Sequence, residues 1–315
     1  MSSVRQRYVG SSGLAVSVVG LGCNNFGWRI DETRSRAVID AAIAADITLL
    51  DTAETYGDGE SEEFIGRALQ GRRDRVVIAT KFGWGTGFGD HSVARGTREY
   101  VRGAVEGSLR RLRTDYIDLY QYHRPDGVTP IEETLGAMDE LVREGKVRQI
   151  GSSNMSGDQV READAAARSR GFAQFISVQN DYSWLVRDPE ADVVPACEEL
   201  GVGLIPYFPL ARGLLTGKYR RGEPAPEGSR LARDGFAFAR ESGVPDAVWD
   251  RIDRLKTFAG DHGLRLLDVA IGGLAAQPAV CSVIAGATTP AQVRANAAAG
   301  EWEPSASELE RLRSL

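Results

Sequence analysis

At 315 residues, with 42% apolar and 26% charged side chains, the chain has the composition of a globular protein, long enough for one large domain or two ordinary ones. Its formal net charge of −6 gives nucleic-acid binding no electrostatic support, and the cluster Arg110-Arg111-Arg113 suits the solvated side of a helix. No apolar run approaches the roughly 20 residues of a membrane helix, and the opening MSSVRQRYVG lacks the apolar segment of a secretory signal. Cys23, Cys197 and Cys281 have no metal-ligand spacing, so no metal site and a reduced, cytoplasmic compartment are expected.

In chain order, Tyr8 to Ser17 holds the turn Gly10-Ser11-Ser12-Gly13 between short extended pieces and predicts a terminal hairpin. Strand and helix signals then alternate. Val16–Cys23 precedes a predicted helix at Thr33–Ala45, Thr48–Ala53 one at Ser61–Leu69, and Val76–Phe82 one at Thr97–Leu112. Tyr116–His123 precedes Ile131–Glu144, Val147–Asn154 precedes Gly157–Ser169, and Phe175–Tyr182 precedes Ala191–Leu200. Val202–Pro209 leads into a long irregular stretch, Gly213–Pro245, which reads as a surface loop folding over a site. Val280–Ala287 precedes a helix from Pro290, and Ser305–Leu315 predicts a short capping helix.

Strands alternating with helices imply parallel pairing through right-handed crossovers. Eight such repeats over about 300 residues predict an α/β fold of the (β/α)8 TIM-barrel type. Residues 1–315 would form a single barrel domain, with an N-terminal hairpin and a long loop after strand seven. The fingerprint G-x-G-x-x-G is missing after the first strand, which argues against a Rossmann sheet. Gly83, Gly85, Gly87 and Gly89 form a glycine-rich loop expected over the barrel mouth.

In a barrel of this type the strand ends converge on one mouth. The second strand ends at Asp51, with Tyr56 on the loop beyond it. The third carries Lys81 and the fourth ends at His123. A lysine inside VVIATKFG needs a partner, since a barrel interior disfavours an unpaired charge, and Asp51 is the obvious one. Two unit charges 4 Å apart at an effective dielectric near 20 interact by about 4 kcal/mol. The expectation is that the pair lowers the Tyr56 phenol pKa, by roughly three units at most, and makes it a proton donor near neutrality. A neutral His123 imidazole would hydrogen-bond a substrate carbonyl.

The residues that match a known family are DTAETYGDGESEEFIGRAL, the TK of VVIATKFG, DLYQYHRPD, the GSSN after the fifth strand, VQNDYSW, PYFPLARGLLTGKY and VIAGATTPAQVRAN. Over essentially its whole length the chain resembles the aldo-keto reductase superfamily, in its bacterial and potassium-channel-β-subunit-like branch. That resemblance implies an NAD(P)H-dependent oxidoreductase that reduces aldehyde or ketone carbonyls to alcohols, with Tyr56 as general acid, Lys81 and Asp51 tuning it and His123 orienting the carbonyl. It implies that Gly22 and Asp51 take part in binding the cofactor, that Ser153, Asn154 and Gln179 hydrogen-bond the carboxamide of its nicotinamide, and that Tyr207 stacks on the ring. Phe208, Leu210 and Gly213 would follow the pyrophosphate, and Gly286, Thr288, Gln292 and Asn296 would receive the adenosine end.

The family default is NADP, but the basic residues that usually meet its 2′-phosphate are replaced here by Thr288, Thr289 and Gln292, so NAD is the alternative cofactor. Phe26, Trp28 and Trp84 are expected to line a pocket for a small-molecule carbonyl substrate, with no nucleic-acid or membrane partner. Two alternatives are a cofactor-binding regulatory subunit, and a sugar ketoreductase or dehydrogenase dedicated to one pathway.

Overall fold

The computed structural model describes residues 4–84, 94–229, 231–232 and 244–315. The chain opens with the expected hairpin: β1 (Gln6–Tyr8) and β2 (Ala15–Ser17) pair antiparallel, with Arg7 opposite Val16. The single run read at Val16–Cys23 is divided between two sheets. Its first residues finish β2, Val18 donates its N–H to the Arg5 carbonyl, and the chain restarts as β3 (Val19–Gly22).

β3 begins an eight-stranded parallel sheet. It continues through β4 (Leu49–Asp51), β5 (Val77–Phe82), β6 (Ile117–Tyr122), β7 (Val147–Ser153), β8 (Phe175–Gln179) and β9 (Gly203–Leu204), and β10 (Val283–Gly286) returns to pair with β3. Leu204 donates to Ala279 at 2.8 Å and accepts from Cys281 at 3.0 Å, so the segment leading into β10 also meets β9 and the sheet curls round on itself. This is the expected (β/α)8 architecture. The run read at Val202–Pro209 shrinks to the two residues of β9, since Pro206 and Pro209 have no N–H to give a ladder.

The crossovers are α1 (Glu32–Ala44), α2 (Glu60–Ala68), α3 (Arg98–Leu112), α4 (Ile131–Arg143), α5 (Gly157–Arg170) and α6 (Val193–Leu200). After β9 come α7 (Asp246–Asp261) and α8 (Leu266–Asp268), and after β10 come α9 (Pro290–Ala299) and α10 (Ala306–Ser314). Several starts are fixed by side chains that accept an otherwise orphaned N–H: Thr97 from Tyr100, Ser156 from Gln159, Thr289 from Gln292. α2 starts at Glu60, with Gly59 in the left-handed region as its cap, and not at Ser61. The Ser61 hydroxyl is used inside the fold, 3.0 Å from the Cys23 carbonyl and 2.8 Å from the Thr52 hydroxyl.

α7 is an element that sequence reading left unassigned, although Trp249, Ile252, Leu255 and Phe258 recur at helical spacing and are all buried. They pack with Leu214, Leu215 and Trp184 in a cluster of their own beside the barrel. The stretch expected as a loop at Gly213–Pro245 therefore starts with residues that belong to a core. Its residues 230 and 233–243 lie outside the described residues, as do 85–93 of the glycine-rich loop.

One end of the barrel is filled. Val9 and Val16 of the hairpin pack with Leu49, Ala79, Leu119 and Ile284 of the strands and with Ile205 just past β9. The amino-terminal end is thus stoppered with apolar side chains. The opposite end carries a cleft of about 2340 Å³.

Candidate active site

At the level of that cleft the inward positions change from apolar to polar. Asp51 closes β4 and Lys81 lies near the end of β5, at 2% and 1% exposure. Lys81 Nζ lies 2.6 Å from Asp51 Oδ2, 2.8 Å from the Thr52 carbonyl and 3.4 Å from Tyr56 Oη, which uses all three donors of the ammonium. The other carboxylate oxygen of Asp51 accepts from Gln179 Nε2 at 2.6 Å and from Gln121 Nε2 at 3.5 Å. Burial works against the Lys81 charge, but Asp51 and Tyr56 outweigh it and hold its pKa above the ordinary value.

Tyr56 is carried by a tight turn, Tyr56–Gly59, in which Gly57 has φ of 58°. A Cβ at Gly57 would lie 2.6 Å from the Phe26 carbonyl, so glycine is required for the turn to press against the loop after β3. The phenol departs from expectation. Burial pushes its pKa up, the Lys81 ammonium offsets only part of that, and Asp51 adds to the rise. The ammonium alone would lower the pKa; desolvation of the phenolate and the neighbouring carboxylate reverse the sign. In the free protein Tyr56 keeps its proton across the neutral range.

His123 follows β6 with its ring edge-on to Tyr56 at 5.9 Å and tilted against Trp84 at 4.8 Å. Burial, then Lys81 and Arg124, push its pKa well below the ordinary value, so the imidazole is neutral. Its Nδ1 is buried without a hydrogen-bond partner among the described residues.

The residues expected to hold a cofactor line the same cleft: Gly22, Ser153, Asn154, Gln179 and Tyr207, then Phe208, Leu210 and Gly213, then Gly286, Thr288, Gln292 and Asn296. Asn154 has φ of 57°, donates to the His123 carbonyl at 2.9 Å and accepts from Tyr207 Oη at 2.7 Å, which fixes the Tyr207 ring beside the polar layer. The Ser153 hydroxyl donates to the Gln179 carbonyl at 3.0 Å. Gln179 also gives its amide to Asp51, a role that sequence reading did not assign. At the far end Gln292 Oε1 accepts from Thr288 N at 2.7 Å and Thr288 Oγ1 at 3.0 Å, so these two side chains bond each other at the start of α9.

The substrate side is mixed. Trp84 lines the cleft, and Trp28 stands at its rim, 62% exposed with the Arg29 guanidinium 4.5 Å from its ring. Phe26 does not line the cleft: it is fully buried in the core among apolar side chains. The loop after β3 turns at Gly27 with φ of 76°, which sends neighbouring aromatic side chains opposite ways. Sequence reading also missed Glu54, Arg34 and Lys218, which line the cleft. Lys218 was readable in principle, since it lies within the quoted stretch PYFPLARGLLTGKY and packs near Gly213.

A parallel barrel stoppered at one end, with a buried Asp–Lys pair touching a tyrosine at the other, defines the class. The family model described as the aldo/keto reductase family matches residues 18–315, and the chain belongs to that family. It is an oxidoreductase of that class. A probable voltage-gated potassium channel subunit beta from Oryza sativa subsp. japonica is 35% identical over 298 residues, covering 93% of this chain and 90% of that protein. A probable aldo-keto reductase 1 from Glycine max is 42% identical over 216 residues, 67% of this chain and 60% of that one. Among solved structures, the holo form of aldo-keto reductase AKR11C1 from Bacillus halodurans superposes with a TM-score of 0.79 at 33% identity, covering 99% of this chain and 96% of that one.

The depressed His123 pKa has a consequence for stability. Unfolded histidine takes up a proton near pH 6.5, and folded His123 does so only at lower pH. Its contribution is therefore fully present above about pH 6.5 and is lost as pH falls, by up to roughly 1.4 kcal/mol per unit. In urea unfolding at pH 7.5 and about 5.5, wild type is expected to lose more stability than His123→Asn. Equal losses in the two proteins would mean that His123 titrates normally.

Proposed function

We propose that this protein reduces the carbonyl group of aldehydes or ketones to an alcohol, using a reduced nicotinamide dinucleotide. The observation that carries the reading is the contact of Tyr56 Oη with Lys81 Nζ at 3.4 Å, beside a neutral His123. A neutral imidazole keeps one N–H with which to orient a carbonyl oxygen, and it does not compete with the phenol as the acid. Tyr56 gives its proton to that oxygen and becomes a phenolate next to an ammonium. This is where the attraction of Lys81 acts: burial opposes the phenolate and Lys81 offsets the penalty. Asp51 keeps Lys81 charged and in place, and solvent at the cleft mouth returns the proton.

The donor set of the cleft fits a dinucleotide. Ser153, Asn154 and Gln179 present amide and hydroxyl groups near the polar layer, Tyr207 offers a ring held by Asn154, and the start of α9 offers backbone N–H groups to an anion. When bound, the reduced cofactor supplies a hydride to the carbonyl carbon. We propose NADP as the preferred partner, with modest discrimination against NAD, because Thr288 and Gln292 are uncharged and already bonded to each other. The protein is proposed to work in the cytoplasm as a single barrel domain. Relatives named as potassium-channel β subunits raise a binding role without turnover. The complete set of Asp51, Tyr56, Lys81 and His123 around one cavity favours the enzyme.

Replacing Tyr56 by Phe removes the proton and leaves the ring. Carbonyl reduction is expected to fall by about 10²–10⁴-fold with cofactor affinity unchanged, measured as steady-state rates and as fluorescence-titrated dissociation constants. More than about half the wild-type rate on a chemistry-limited substrate would overturn the assignment.

A guanidinium at the far end tests where the phosphate lies. Thr288→Arg is expected to tighten NADP selectively, by about tenfold for one charge-assisted contact, and to leave NAD unchanged. Tighter NAD than NADP binding by the wild type, or no gain in the variant, would contradict this placement.

A further inference from the structure

Glu54 stands between Asp51 and Tyr56 in the sequence, lines the cleft, and has no part in the proton transfer. Its hydrogen bonds nevertheless reach β5, the residue just beyond it, and α3. Its backbone N–H donates to the Lys81 carbonyl at 3.1 Å. Its Oε1 accepts from the Gly83 N–H at 2.9 Å and from the Tyr100 hydroxyl on α3 at 3.0 Å.

Gly83 is where the chain leaves β5. It has φ of 94°, and a Cβ there would lie 2.9 Å from the Tyr122 ring. The backbone thus runs between an aromatic face and the Glu54 carboxylate, and the next residue is Trp84. The indole lies 4.8 Å from the His123 ring, and the Arg124 guanidinium sits 4.9 Å from its centroid. The Phe82 carbonyl accepts from His123 N at 2.8 Å, so β5 and the loop bearing His123 are joined just before this point.

We propose that Glu54 is a positioning residue: by holding the Gly83 amide it couples the loop that carries Tyr56 to the wall made by Trp84 and His123, and so sets the width of the substrate side of the mouth. A carboxylate suits the task because its length reaches Gly83 and one oxygen can accept from two donors. The backbone at Gly83 has a side chain as its partner, where a ladder bond would otherwise end with the strand. The effect on substrate follows from the carbonyl-reductase reading. The effect on the Gly83 amide does not.

The experiment compares wild type, Glu54→Gln and Glu54→Ala by hydrogen–deuterium exchange and by kinetics with NADPH and a bulky aromatic aldehyde. The glutamine amide oxygen still accepts from both donors, so Glu54→Gln is expected to stay close to wild type in both readouts. Glu54→Ala is expected to speed exchange at the Gly83 amide and to raise KM for the aldehyde, each by about tenfold or more, with the cofactor dissociation constant within about twofold. If Glu54→Ala fails to fold, Glu54→Asp, too short to reach Gly83, is expected to give the same pattern. Unchanged Gly83 exchange in the shortened variants overturns the proposal, as does a lower melting temperature with unchanged KM. Glu54→Gln as impaired as Glu54→Ala overturns it too, because the charge and not the acceptor geometry would then matter. Faster Gly83 exchange in a protein whose wild type turns over no carbonyl supports the anchor and counts against the reductase reading.

Discussion

Lys81 and Asp51 are almost fully enclosed, 2.6 Å apart, in a barrel interior where each charge alone would cost several kcal/mol. What makes the pair tolerable is that little hydrogen-bonding capacity is left over. The ammonium spends its protons on Asp51, the Thr52 carbonyl and Tyr56, and the carboxylate receives Gln179 and Gln121 on its second oxygen. These contacts join β4, β5, β6 and β8 at one level of the barrel. The same closure that permits the charges fixes the position of the tyrosine. Geometry of this kind is worth most where it is held before the substrate arrives.

The apolar layer beneath gives that polar layer its direction. Val9 and Val16 pack with Leu49, Ala79 and Leu119 at the amino-terminal end, and Asp51, Tyr56, Lys81 and His123 line the cleft at the other. Low dielectric below and a cleft above explain why the two titratable neighbours shift as they do. Burial raises the phenol of Tyr56 and lowers the imidazole of His123, so both are neutral at the same pH. Each therefore keeps a proton, Tyr56 on its oxygen and His123 on one ring nitrogen.

Much of this was legible in the sequence, because barrel strands are short apolar runs whose last residue faces the mouth. Asp51, Lys81 and His123 were readable as strand-end residues once the alternation of strand and helix was recognised, and Tyr56 by its place before two glycines. What was not legible depended on distances between segments. The sign of the Tyr56 shift turns on how much water the fold removes, which no local pattern encodes. Phe26 and Trp28 are two residues apart and equally aromatic, yet one is core and the other rim, because the turn at Gly27 separates them. Gln179 turns out to serve Asp51, 128 residues away in the chain. The helix at Asp246–Asp261 was missed for a different reason: its apolar period is plain, but it follows a stretch of glycine, proline and charge that reads as loop.

The interdependence of Lys81 and Asp51 is tested most directly by a double-mutant cycle on stability, using Asp51→Asn, Lys81→Met and the pair together in urea unfolding at pH 7. Each single change strands one buried charge and is expected to cost about 3–5 kcal/mol. The double change leaves no stranded charge, so its cost is expected to fall well short of the sum, by roughly 2 kcal/mol or more. Costs that add to within about 0.5 kcal/mol would mean that the two charges are solvated independently, and the account of the mouth as built on one buried pair would be wrong.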